Sequence, residues 1–155
     1  MDNPRIAAYY FNNIVSEDEI RFQALFVAFR QVRSEFSVFR PFYAFDGTHT
    51  RSRYNLTLLI AVGIDGEDRI VPLAFALVLV ENERWWDFFC HCFHLAFGDK
   101  LPDQYVVISD RDKGLLNAVE LKLPKASHSM CCQHIVENIR KRFGNKYLAS
   151  FWRIA

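Results

Sequence analysis

The sequence predicts an α/β fold: a five-stranded mixed sheet, three antiparallel strands first, flanked by helices. Three observations predict it. Leu56, Leu58, Ile60, Val62 and Ile64 alternate along one stretch that runs into Asp65-Gly66, a tight hairpin signal, and a second apolar run follows as far as Val80. Trp85, Phe88, Phe89, Cys92, Phe93 and Ala96 then recur at helical spacing and separate this meander from the compact run Tyr105-Val106-Val107-Ile108-Ser109. Two apolar runs end on acids: Pro41-Phe42-Tyr43-Ala44-Phe45 on Asp46, and the 105–109 run on Asp110. A strand reached through a helix lies parallel to an inner strand, with a right-handed crossover. The free end of the meander is the Asp46 strand. Counted from that strand, the predicted order is 3-2-1-4-5, with strands near 41–46, 54–64, 69–80, 104–110 and 126–130.

In chain order, Ser16-Glu17-Asp18-Glu19 fits a capping box, and Phe22, Leu25, Phe26, Phe29, Val32 and Phe36 follow at helical spacing. Residues 1–40 are therefore expected to be a helical segment packing on a core of residues 41–155. Pro72 cannot donate to a ladder, which predicts that the third strand is an edge. Asn82 is placed to cap a helix from Glu83, with Gly98 after its last apolar residue. Leu115, Leu116 and Val119 mark a helix near 112–121, and Ile135, Ile139 and Phe143 another that Gly144 closes. Tyr147, Leu148, Phe151 and Trp152 keep helical spacing to the last residue, so the domain is expected to continue beyond Ala155.

One domain is expected from 155 residues, half of them hydrophobic and 15 of them Phe. A net charge of +1 gives no strong overall attraction to nucleic acid or to a membrane surface. No apolar run reaches membrane-spanning length, and Met1-Asp2-Asn3-Pro4 does not open a signal peptide. Cys90, Cys92, Cys131 and Cys132 in such a chain read as reduced thiols or a metal site more than as a disulfide framework.

Asp46 alone has two readings. Asp-Gly is a common turn dipeptide, and a carboxylate ending an apolar strand is also what a metal ligand looks like. Paired with Asp110 on an adjacent strand, it gains weight as chemistry. Ligands bind at the carboxyl edge of such sheets, and hard carboxylate oxygens hold Mg²⁺. Two ions about 3.5–4 Å apart can activate an attacking oxygen and steady a leaving one. The 3-2-1-4-5 order is the ribonuclease H-like arrangement. Cys131-x-x-His134 offers two metal ligands where a structural zinc site needs four, so a structural pair beside the acids is expected. Arg51 and Arg53, in the loop after Asp46, are placed to hold a DNA backbone, and Arg111 follows Asp110. Arg140-Lys141-Arg142 is either a solvated helix face or a basic signal. Trp85 and Trp86 read as core, and Glu81 and Glu120 as surface or helix-end acids.

Taken together, Asp46-Gly47-Thr48, Asp65-Gly66 with Val71-Pro72-Leu73-Ala74-Phe75-Ala76, and Glu81-Asn82-Glu83 with Trp86 and Phe89 form an ordered series. It continues with Ile108-Ser109-Asp110-Arg111, Lys113-Gly114-Leu115, Pro124-Lys125-Ala126, His128, and Cys131 with His134 and Asn138. The series, over about residues 20–143, resembles the transposase domain of Mutator-like elements, the MULE domain. The resemblance implies a DDE enzyme that cuts and joins DNA at transposon ends in the nucleus, using Mg²⁺ or Mn²⁺ in a two-ion site when the domain is complete. DNA is the implied partner, with a second copy of the chain as a further one to test. Asp46 and Asp110 match the family's first two acids, and Cys131 and His134 its Cys-x-x-His. The family's third acid, a Glu, comes after a helical insertion further downstream. Within this sequence Glu137 is the nearest substitute, and the chain alone is expected to bind Mg²⁺ weakly and not to cleave DNA. The alternative is a domesticated, inactive transposase-derived protein with a DNA-binding or transcription-regulatory role.

Overall fold

The computed structural model of the chain describes residues 6–16, 19–51 and 53–154. Its seven strands are β1 (Ile6–Ser16), β2 (Glu19–Phe29), β3 (Phe42–His49), β4 (Thr57–Ile64), β5 (Ile70–Val78), β6 (Tyr105–Ser109) and β7 (Ala126–Met130). The helices are α1 (Arg30–Ser34), α2 (Glu83–Phe97), α3 (Lys113–Lys122), α4 (Cys132–Phe143) and α5 (Leu148–Ile154). All seven strands form one mixed sheet of order β1-β2-β5-β4-β3-β6-β7. The sheet is thus larger than the five strands expected. From β3 onward its strands stand in the order β5-β4-β3-β6-β7, and β1 and β2 extend it beyond β5.

The expected helical segment over residues 1–40 is instead a β-hairpin, followed by the short helix α1 and one 3-10 turn, Phe36–Val38. β1 and β2 pair antiparallel from Ile6↔Phe29 to Ser16↔Glu19, so the two ends of the expected capping box face each other across strands. Glu17 and Asp18 lie outside the described residues. The helical spacing of Phe22, Leu25, Phe26 and Phe29 hides a second period. Ala24, Phe26 and Ala28 alternate and are at most 2% exposed, so one face of the strand is core. The partner decides between the two periods. β5 has a whole ladder of backbone groups on the side away from β4, and β2 satisfies it from Ala24↔Val78 to Ala28↔Ala74. A helix over these residues would leave that ladder unpaired.

β5 is therefore an inner strand, not the edge that Pro72 suggested. Pro72 is tolerated because pairing with β2 stops at Ala74 and the β4 register slips between Ala61 and Val62 opposite it. β4 begins at Thr57 rather than 54. Asn55, just ahead of it, takes a positive φ of 48°, a conformation no strand uses.

Along the sheet Ala24, Phe26, Tyr43, Phe45, Leu59, Ala61, Ala76, Tyr105 and Val107 form a buried layer. α2 packs on that layer with Trp86, Phe89 and Phe93, all 0% exposed. Phe89 meets Phe26 and Phe45 with ring centroids 5.5 Å apart, and Phe93 meets Phe45 at 5.1 Å, in edge-on geometry. Asn82 caps α2, its Oδ1 accepting from the Trp85 amide at 3.1 Å. Gly114 lets α3 approach α2 closely, because a Cβ there would sit 2.6 Å from Glu83 Cα. All four cysteines are free thiols. No described helix is long and apolar enough to cross a membrane.

Candidate functional site

β3 and β6 run parallel as neighbours, with Phe42↔Val106, Tyr43↔Val107 and Ala44↔Ile108 in register. The same offset of 64 positions (108 − 44) separates Asp110 from Asp46, so the register, carried two residues past its last pair, brings the two acids to the same level just past the end of β6. Asp46 does not end its strand. β3 continues to His49, with Asp46 opposite Ile60 of β4. Tyr43 and Phe45 point into the α2 layer, so Asp46 projects from the opposite face, its side chain 58% exposed.

Asp110 is held by two hydrogen bonds. Its Oδ1 accepts from the Asp112 amide at 3.0 Å, and Asp112 in turn caps α3 through the Leu115 amide at 3.0 Å. Ser109, 1% exposed, donates its hydroxyl proton to the Asp110 carbonyl at 2.8 Å. A hydroxyl has one proton, so His128 Nε2, 2.8 Å from the same oxygen, is the donor to Ser109. Burial depresses the His128 pKa against the opposing pull of Asp110, which favours the neutral ring.

The Cys131 amide donates to the Ser109 carbonyl at 2.7 Å, and this bond pins the start of α4 to the end of β6. One turn later His134 Nε2 stands 3.8 Å from Asp46 Oδ1. His134 Nδ1 is buried and has no hydrogen-bond partner among the described residues. Glu137, a further turn along α4, is half-buried and makes no hydrogen bond or ion pair among them. Arg51 and Arg53 are exposed in the loop after β3, where Arg53 lies over the Tyr54 ring at 5.3 Å; Ser52 between them is outside the described residues. Arg111 is exposed beside Asp110. Trp85 and Trp86 are core residues.

Glu81, expected to be a surface or helix-end acid, stands just before the Asn82 cap of α2 and is half-buried near Asp110 and Asp46. A Cβ added to Gly47 would lie 2.8 Å from the Glu81 Cδ and from both carboxylate oxygens. The Trp86 indole donates to Glu81 Oε1 at 3.2 Å. Burial raises the Glu81 pKa, and the charges of Asp110, Asp112 and Asp46 raise it further. One signal could have found it. β5 runs in the same direction as β3 and β6, so the residues after its carboxyl end arrive at the same sheet edge.

Among the described residues no three His, Cys, Asp or Glu side chains gather closely enough to cage a metal ion. Mg²⁺ rarely needs such a cage: it takes oxygen ligands and retains several waters, so one or two carboxylates suffice. The all-carboxylate donor set of Asp46 and Asp110 fits one hydrated ion of that kind. Cys131 and His134 supply only two of a structural zinc site's four ligands.

The fold and this edge define an α/β sheet protein that presents paired carboxylates beside a Cys-x-x-His turn. The family of the MULE transposase domain matches residues 42–138, from β3 into α4, which is more than half the chain. The chain belongs to the MULE transposase domain family. It is similar to Protein FAR-RED IMPAIRED RESPONSE 1 of Arabidopsis thaliana, 26% identical over 144 residues that make up 93% of this chain and 17% of the relative. It is also similar to Protein FAR1-RELATED SEQUENCE 11 of the same plant, 27% identical over 128 residues, 77% of this chain and 18% of the relative. The chain thus spans less than a fifth of the length of either curated relative.

Proposed function

We propose that this chain is the acid-bearing core of a Mutator-like DDE transposase, ribonuclease H-like in fold, that binds a divalent cation and DNA for phosphodiester cleavage and transfer in the nucleus. One observation carries the reading: the parallel pairing of β3 with β6, whose register runs from Phe42↔Val106 to Ala44↔Ile108 toward the two acids. Asp46 and Asp110 would hold Mg²⁺ or Mn²⁺. When bound, such an ion polarises phosphate oxygens and lowers the pKa of its water. The chain's own residues orient the acids. Ser109 and His128 fix the Asp110 backbone, Asp112 turns its carboxylate, and His134 stands over Asp46. The exposed guanidiniums of Arg51, Arg53 and Arg111 are offered to phosphates as positioning contacts. With a net charge of only +1, those side chains have to supply the attraction.

A second reading is a domesticated protein that binds DNA and regulates transcription without cutting it. It is favoured by the two plant relatives, one of which is named for an impaired far-red response. The test combines Mn²⁺ titration, DNA binding and nicking of supercoiled plasmid with Mg²⁺ or Mn²⁺. Both readings that keep the metal expect Mn²⁺ binding to disappear in Asp46→Asn and in Asp110→Asn. Metal-dependent nicking lost in the same variants supports the transposase reading; DNA binding without nicking supports the regulatory one. Unchanged Mn²⁺ affinity in both variants overturns the proposed cation site.

A further inference from the structure

We propose that Glu81 is a third carboxylate of the Asp46–Asp110 site, reaching the cation through its bound water. The inference rests on the reading that Asp46 and Asp110 hold a divalent ion. It starts from how firmly the structure presses Glu81 to this edge. Gly47, the residue after Asp46, has no side chain, and the space its Cβ would fill is occupied by the Glu81 carboxylate. Gly114, four residues after Asp110, closes on the Glu83 backbone, where a Cβ would lie 2.6 Å from Cα and 2.7 Å from N. Asn117 adds a bond from Nδ2 to Glu83 Oε1 at 3.1 Å. The segment 81–83 is thus held between two glycines, one from each acid-bearing stretch.

This placement is unfavourable without a ligand. Glu81 is half-buried, feels Asp110, Asp112 and Asp46, and has no cationic partner among the described residues. Three acids near a half-buried fourth repel, and desolvation weakens the hydration that would offset it. The Trp86 indole bonds only Oε1. A divalent cation relieves both the repulsion and the lost hydration. The strand geometry explains why the contact runs through water. Gly47 alternates with Asp46, so Glu81 meets β3 from the α2 face while the Asp46 carboxylate leaves from the other. Direct ligation of one ion by all three is therefore not formed. A metal-bound water extends a carboxylate's reach by one hydrogen bond, about 2.8 Å. Glu81 is on this account a positioning residue.

The experiment is Mn²⁺ titration of the 155-residue chain, followed by electron paramagnetic resonance of the free ion and by indole fluorescence. Glu81→Gln keeps an acceptor for Trp86 and removes only the charge. Outer-sphere partners are worth roughly 10–100-fold in metal affinity, so about a 10-fold weaker Mn²⁺ affinity is expected in Glu81→Gln. Asp46→Asn should abolish measurable binding, and Glu120→Gln, at an exposed position of α3, should leave it unchanged. Mn²⁺ should also change the indole emission of the unaltered chain, and change it less in Glu81→Gln. If Glu81→Gln does not fold, Gly47→Ala replaces it. There the clash falls on the end of a flexible side chain, so the fold absorbs it while the carboxylate is displaced, and weaker Mn²⁺ binding is again expected. Affinity at or above the unaltered level in a folded Glu81→Gln or Gly47→Ala overturns the role of Glu81, with Asp46→Asn still inactive in binding. If Asp46→Asn binds Mn²⁺ as well as the unaltered chain, the site itself fails, and the two failures are told apart.

Discussion

Replacing Gly114 with alanine tests the close backbone approach between α2 and α3. Gly114 lies inside α3, where alanine is intrinsically better by about 1 kcal/mol. Propensity alone therefore predicts stabilisation. The structure predicts the opposite, because the new Cβ would meet Glu83 Cα at 2.6 Å, N at 2.7 Å and Cβ at 2.9 Å. Two of these atoms are backbone and cannot rotate away, so the start of α2 must shift from α3. Overpacking of this kind costs about 1–3 kcal/mol, and a backbone obstacle belongs near the top of the range. Subtracting the helix gain leaves a net loss of about 2 kcal/mol, a fall in Tm of about 4–8 °C for a chain of this size. Differential scanning calorimetry and urea titration measure it, with Gly66→Ala as reference because its nearest neighbour is the Val38 carbonyl at 3.9 Å. A Gly114→Ala protein as stable as the parent, or more stable, would refute the argument that the α2–α3 contact depends on the missing Cβ.

Two further outcomes follow from the titrating groups. The Asp65 carboxylate accepts from the Arg69 amide at 3.0 Å, from Arg69 Nε at 2.8 Å and from the Glu67 amide at 2.9 Å. The bond from the Arg69 backbone, then that from its side chain, holds its pKa below the ordinary 3.8. A pKa lowered by folding contributes stability above the unfolded value and loses it as pH falls through the folded one. Asp65→Asn should thus lower the urea midpoint at pH 7, and the gap from the parent should close below about pH 4; a gap independent of pH would contradict this. Among the thiols, Cys132 is exposed while Cys90 and Cys92 are buried. Burial pushes Cys92 up to about 12 and Cys90 further still. A disulfide reagent at pH 8 should label Cys132 first and Cys90 and Cys92 only on unfolding; labelling of the buried pair at the Cys132 rate would show the α2 layer to be open. These raised values also mean that the contribution of the two buried thiols to stability is complete below pH 9 and declines as pH rises beyond it.

The sequence by itself determined the features written in contiguous residues. The Asp65-Gly66 turn closes β4 onto β5, Asn82 starts α2, and the apolar stripe of α2 names the face that packs on the sheet. The adjacency of β3 and β6 was also legible, because a helical crossover restricts where the strand after it can lie. Tertiary structure alone decided the rest. The stretch from Phe22 to Phe29 carries both a helical and an alternating period, and only the open ladder of β5 selects the strand. That selection turned Pro72 from an edge marker into an interior irregularity. Glu81 is the clearest case at the site. It is far in sequence from both Asp46 and Asp110, and nothing local distinguishes it from a helix-end acid. Its place depends on three strands of like direction ending at one edge and on two glycines yielding their side-chain space. Local propensity is a property of neighbours along the chain, whereas ladder completion and the gathering of like charges are properties of segments that meet only when the sheet closes.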